Sequence, residues 1–210
     1  MEVGDHVTLF DGQGGEWTAV ISGAGKRMAT VRLLEFDAVE RESPVKIALV
    51  QALATSDKMD FIVQKAVELG ISAIQPIATE RATLKLAGER AQKRAAHWQA
   101  IAQSACAQCG RNRIPAVADV VTFEAWLAMP SDGVRLMLHP RAKMSLLESA
   151  GATQPLVIVI GPEGGFSEKE IALATSHCIQ PVRFGPRMLR AETAGLAAIA
   201  AINAVHGDLK

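Results

Sequence analysis

Three structural signals follow one another in the stretch VIVIGPEGGFSEKEI, Val157 to Ile171. The apolar run Val157–Ile160 reads as a buried strand. The glycines after it, Gly161, Gly164 and Gly165, permit positive φ and close backbone approach, which a Cβ would obstruct. Ser167 and Glu170 then form a Ser-x-x-Glu capping box, so a helix is expected to begin near Glu168. Strand, glycine loop and helix in that order are the material of an open α/β sheet, whose ligands sit at the strand ends.

The chain beyond Ser43-Pro44 repeats this grammar. VKIALVQAL predicts a buried strand, KMDFIVQKAVELG a helix stopping at a C′ glycine, Gly70, and ISAIQPIA a further strand. A long helix is expected over Ala91–Gln108. VRLMLHP, PLVIVIGPEGG and QPVRFGP supply three more strand-to-loop units. RAETAGLAAIAAINAVHG closes the chain as an alanine-rich helix whose small residues face something closely packed. Strands alternating with helices imply α/β architecture with a mostly parallel sheet. Before Ser43 the pattern differs. HVTLF, WTAVIS and MATVRLLEF are short β-rich runs separated by the turn sequences DGQGGE and GAGKR, which together read as a small antiparallel module. The expected division is a β module over 1–43 and an α/β domain over 44–210.

Composition narrows the function classes. A length of 210 residues suits one domain and a smaller second one. With 49% hydrophobic and 21% charged residues the chain is globular rather than disordered. Lys+Arg and Asp+Glu both number 22, so a nucleic-acid partner would be held by local patches and not by a bulk field. Three cysteines and no signal peptide favour reduced thiols and a cytoplasmic setting. No apolar run approaches the ~18 residues of a membrane span. Cys106-Ala-Gln-Cys109 lies near the end of a helical segment and has no second ligand pair of matching spacing. It therefore reads as two packed helix thiols, and no metal is expected.

Three strands end in unusual loops: LHP at 138–140, IGPEGG at 160–165 and FGPRMLRAET at 184–193. Together they suggest one pocket at the carboxyl ends of the strands. A phosphate cradle is disfavoured, because G-x-x-x-x-G-K-[ST] and G-x-G-x-x-G are both missing and Glu163 would repel the anion. An acid there suits a ligand carrying positive charge, or one whose amine and ribose need acceptors.

GPEGGFSEKE combined with FGPRMLRAETAGLAAI resembles the RsmE family of 16S rRNA uridine-N3 methyltransferases, within the SPOUT superfamily. The resemblance extends through DKMDFIVQKAVELGISAIQPIATERATLK, KRAAHWQAIAQSACAQCGRNRIP and VGDHVTLFDGQGGEW, and so covers nearly the whole chain. It implies a SPOUT-type α/β domain with a trefoil knot, one of the rare exceptions to unknotted topology. It also implies S-adenosylmethionine as cofactor, a homodimer, and a PUA-like β-barrel at the amino end for RNA binding. The implied substrate is 16S rRNA, within an assembled or assembling small ribosomal subunit. Family members usually begin with a further strand and a basic stretch. For a chain starting at MEVGDH, either that start lies outside this sequence or the barrel is abbreviated. The family's usual LRTET is LRAET here, with Ala191 where threonine is common.

On this resemblance the residues expected to line the cofactor are Leu138, His139, Gly161, Glu163, Gly164, Gly165, Phe184, Gly185, Leu189 and Arg190. Uridine N3 holds its proton at neutral pH, so a cation such as Arg190 would stabilise the developing anion. Glu163 or Glu192 would accept a proton or hold the cofactor amine. A cation at a helix start opposes the helix dipole, which singles out Arg190, whereas Glu192 in the first turn also suits the dipole alone. Arg81, Lys85, Arg111 and Arg113 form the local basic clusters expected to meet RNA phosphates. In the final helix, Ala198 and Ile202 are expected to approach a partner across a two-fold axis. Two other readings are a SPOUT enzyme acting on another RNA such as tRNA, and a noncatalytic RNA-binding module.

Overall fold

The computed structural model describes residues 1–25, 28–151 and 153–209. It contains two compact units, residues 1–42 with 106–114, and residues 43–105 with 115–210.

In the first unit β1 (His6–Leu9), β2 (Glu16–Ala24) and β3 (Ala29–Asp37) form an antiparallel sheet in that order. His6 stands opposite Val20, and Trp17 opposite Phe36, with ring centroids 4.8 Å apart. The β1–β2 turn needs glycine. At Gly15, φ is +70° and a Cβ would lie 2.3 Å from the Phe36 ring. Lys26 and Arg27, in the expected second turn, lie outside the described residues.

Residues 106–114 complete this unit. Gly14 N–H donates to the Asn112 carbonyl at 3.2 Å, and the Asn112 side-chain amide donates to the Val39 carbonyl at 2.7 Å. Arg111, almost wholly buried, forms a two-pronged pair with Glu42, while Arg113 Nε donates to Glu40 at 2.7 Å. Burying a guanidinium requires such a partner, because an unpaired buried charge is strongly destabilising.

The second unit begins with β4 (Ile47–Ala52), α1 (Ser56–Glu68), β5 (Ala73–Ala78) and α2 (Gly88–Cys109). The short β6 (Ala116–Val117), β7 (Val121–Thr122) and α3 (Phe123–Leu127) precede β8 (Val134–Leu138), β9 (Met144–Ser145) and α4 (Leu146–Ser149). The chain ends with β10 (Leu156–Ile160), α5 (Glu168–Ser176), β11 (Gln180–Arg183) and α6 (Ala191–His206). The sheet order is β6-β5-β4-β10-β8-β11-β9, with β7 also against β5, and every pairing is parallel. The principal elements thus follow the apolar runs. The two-residue strands are too short for any periodicity to mark them.

Both central strands are buried along most of their length, as helices covering both faces require. Val50, Ala52 and Val159 face a cluster with Phe123 and Trp126 of α3, Ala174 of α5, and Phe166. Leu49, Gln51 and Ile160 face the other way, toward α6. There a Cβ added at Gly195 would sit 3.3 Å from both Leu49 and Ile160. Ala198 and Ile202 are fully buried within the chain. The small residues of α6 therefore accommodate its own sheet and α1, and those two positions do not face outward. Gly70, at φ +84°, ends α1, and the Asn203 amide donates to the Leu69 carbonyl at 2.7 Å, tying α6 to that terminus.

Candidate active site

Parallel strands β10, β8 and β11 are neighbours, so the loops following them emerge at one edge of the sheet. They enclose a cavity of about 730 Å³, within the range of small-molecule sites. Its walls are residues 138–141 after β8, residues 160–166 after β10, and residues 183–191 after β11. Lys58 of α1 and Ala194 of α6 complete it. Leu138, His139, Gly161, Glu163, Gly164, Gly165, Phe184, Gly185, Leu189 and Arg190 all lie on these walls.

The glycine loop is held from outside. Gly165 N–H closes a turn onto the Pro162 carbonyl at 2.8 Å. Arg81 donates to the Gly164 carbonyl at 3.2 Å, so its guanidinium braces the loop. The capping box is present: Ser167 accepts from Glu170 N–H, and the Glu170 carboxylate accepts from Ser167 N–H. The other Glu170 oxygen accepts from Glu80 N–H at 2.9 Å, fastening the start of α5 to the segment after β5. At Gly161 a Cβ would lie 3.0 Å from the Phe166 ring, which packs on Phe123 with centroids 5.3 Å apart.

Gly165 and Gly185 have φ of +66° and +72°, and a Cβ at either would meet no atom within 4 Å among the described residues beyond its chain neighbours. A rigid backbone bordered by open space is what close approach of a ligand requires.

Lys58 is the residue that sequence reasoning missed. Its ammonium donates to Glu163 at 2.8 Å and lies 3.5 Å from Glu192, bridging two acids from different loops. Glu192 is not itself on the cavity wall, and its Oε2 is buried without a hydrogen-bond partner. Lys58 could have been found by the argument that picked Arg190, since it too is a cation in the first turn of a helix.

The Lys58 hydrogen bond holds the Glu163 carboxyl below its ordinary 4.5, opposed by partial burial and helped by Thr83. A carboxyl with a depressed folded pKa contributes stability above its unfolded value, and loses it as pH falls through the folded one. In Lys58→Met the Glu163 carboxyl is expected to titrate at higher pH, and the acid-side fall in stability at this site should vanish. Carboxyl-carbon NMR titration checks this; an unmoved Glu163 titration would remove Lys58 as its controlling partner.

His139 N–H donates to the Val182 carbonyl at 2.9 Å, joining the ends of β8 and β11. Burial, and then the charge of Arg141, push its imidazole below 6.5, so it is mainly neutral at pH 7. Arg190 is the N-cap residue of α6, its carbonyl accepting from Thr193 and Ala194 N–H. Its exposed guanidinium has no hydrogen bond or ion pair to the described residues.

The remaining expected contact residues lie elsewhere. Lys85 is exposed in the segment between β5 and α2. Arg111 and Arg113 belong to the first unit, in the carboxylate pairs described above. Cys106 is buried on α2, with its thiol pushed up to about 11 by that burial, and Cys109 is exposed and free. A thiol so raised is a poor nucleophile and a poor metal ligand at neutral pH.

Residues 41–203 match the family model described as an RNA methyltransferase domain, and residues 1–34 match the RNA methyltransferase PUA domain. The chain is 31% identical to ribosomal RNA small subunit methyltransferase E of Bacillus subtilis, across 97% of this chain and 83% of that protein. The crystal structure of a ribosomal RNA small subunit methyltransferase E from Neisseria gonorrhoeae, bound to S-adenosylmethionine, superposes with a TM-score of 0.94. Identity there is 41%, covering 100% of this chain and 87% of that one. A Legionella pneumophila methyltransferase in complex with S-adenosylmethionine gives 0.94 at 39% identity, over 100% and 86%.

Proposed function

This chain belongs to the RNA methyltransferase family, among the ribosomal RNA small subunit methyltransferases E, and we propose that it methylates N3 of a uridine in 16S rRNA. The observation that carries this is the three-loop cavity, with two positive-φ glycines whose missing side chains leave room for a ligand. S-Adenosylmethionine, when bound, supplies an electrophilic methyl group on a sulfonium.

The chain's own residues do the rest. Glycine-loop and 184–189 backbone groups would hold the cofactor, and Glu163, kept anionic by Lys58, would favour its positive charge. Arg190 stabilises negative charge on the uracil as the N3 proton leaves. Of the acceptors on the wall, His139 is the better placed as base, since burial and Arg141 favour its neutral, proton-accepting form while Glu163 is engaged by Lys58.

The domain is a trefoil knot in this reading, which the packing of α6 on β10 and β4, past the neighbouring β8, supports. The enzyme works as a homodimer. Half-exposed Phe61 on α1 and Val205 on α6, two helices packed together, offer apolar surface for it. Its place is the cytoplasm, on an assembled or assembling small subunit during ribosome biogenesis. No described helix is long and apolar enough to cross a membrane.

Incubation of the protein with methyl-labelled cofactor and either 16S rRNA or small subunits, with tRNA run alongside, followed by nucleoside mass analysis, tests the reading. Labelled 3-methyluridine is expected from one or both. Label found only in tRNA, or at another base position, would overturn the assignment, and no transfer to any RNA would leave a binding module.

A further inference from the structure

The cavity is electrically divided. On one wall Glu163 is already neutralised by Lys58. On the others stand Arg141 after β8, Arg183 at the end of β11, and Arg187 and Arg190 in the loop that follows. All four are exposed, and their guanidinium groups make no hydrogen bond or ion pair among the described residues. This contrasts with Arg41, Arg111 and Arg113, each answered by a glutamate. In a chain with equal numbers of acids and bases, so many unanswered cations around one cavity repel one another until an anion arrives.

We infer that Arg141, Arg183 and Arg187 bind phosphodiester groups of the RNA strand on either side of the target nucleotide. The guanidinium fork matches a phosphate with two parallel N–H bonds, and such contacts set the register of the strand without reading its sequence. The single carboxylate of the cofactor would account for one fork, not for three from two separate loops. Arg190, at the mouth of α6, is left for the base itself. The inference rests on the proposed methyltransferase function and adds where the substrate backbone lies.

Its test is the salt dependence of binding to 16S rRNA transcribed in vitro, followed by filter retention. Each phosphate contact contributes about 0.7–0.9 to the slope of log K against log salt. Arg183→Ala and Arg187→Ala are each expected to flatten the slope by that amount. The Arg141/Arg183/Arg187 triple alanine variant should flatten it by about 2–3. Arg187→Lys should keep the slope, since the charge remains. Calorimetric affinity for S-adenosylmethionine should be unchanged throughout, which also reports that each variant is folded. KM for RNA should rise while turnover at saturating RNA is nearly kept.

An unchanged slope in variants that still bind cofactor would overturn the inference while leaving the enzyme reading intact. Loss of cofactor affinity with the slope unchanged would reassign the arginines to the cofactor carboxylate and overturn it equally. A wild-type protein that neither binds nor methylates rRNA would instead remove the function on which the inference rests.

Discussion

Arg190→Ala is expected to lower turnover by about 10²–10³-fold, roughly 3–4 kcal/mol of transition-state stabilisation, with cofactor affinity almost untouched. The position explains the size. Arg190 caps α6 through its backbone, which any residue can do, so the side chain is dispensable to the fold and free to act in the cavity. Arg190→Lys should recover only part of the rate, because a point charge cannot reproduce a planar fork. A phosphate-anchoring role would raise KM for RNA and spare turnover, and a structural role would depress the melting temperature and every kinetic constant together. Single-turnover methylation at saturating RNA and cofactor separates the three. A near wild-type rate there would exclude Arg190 from the chemical step.

Gly165→Val is expected to abolish S-adenosylmethionine binding while the protein stays folded. Valine at φ +66° is strained by about 1–3 kcal/mol. For a chain of this length that lowers the melting temperature by roughly 3–10 °C. Among the described residues beyond its chain neighbours no atom lies within 4 Å of the new Cβ, so the side chain enters the space where a ligand would come. Fold and binding therefore respond separately, one mildly and one completely. Calorimetry on the folded variant decides: unchanged affinity would take this loop out of the cofactor site.

The parts of this site written in local chemistry could be read before the structure. The capping box at Ser167 and Glu170 spans four residues, and both reciprocal hydrogen bonds are present. Strand ends marked by Gly and Pro could be placed together, because parallel neighbouring strands deliver their following loops to one edge. Partner choice across the chain could not be read. Arg111 and Arg113 look like phosphate ligands in CGRNR, and nothing near them in sequence announces Glu42 and Glu40, 69 and 73 residues away. The partners of Lys58 were hidden for the same reason, since both carboxylates lie on segments beyond residue 160. Ala198 and Ile202 show a subtler limit. A helix apolar on most sides does not reveal which side its own chain covers, and here both residues are fully buried.

The contribution of residues 106–114 to the first unit bears on the order in which the chain can acquire structure during its synthesis. Residues 1–42 leave the ribosome first, but the strip that pairs with Gly12 and Gln13 and supplies the counter-charges of Glu40 and Glu42 follows 63 residues later. At a translation rate of ~5–20 residues per second, that delay is roughly 3–13 s. Throughout it, the three-stranded sheet stands without its last component, and a small antiparallel sheet alone is only marginally stable. The amino-terminal unit thus matures only after α1, β5 and all of α2 have emerged. Amino-terminal import of structure, one unit after another along the chain, is closed to this protein: its first unit is finished from the middle.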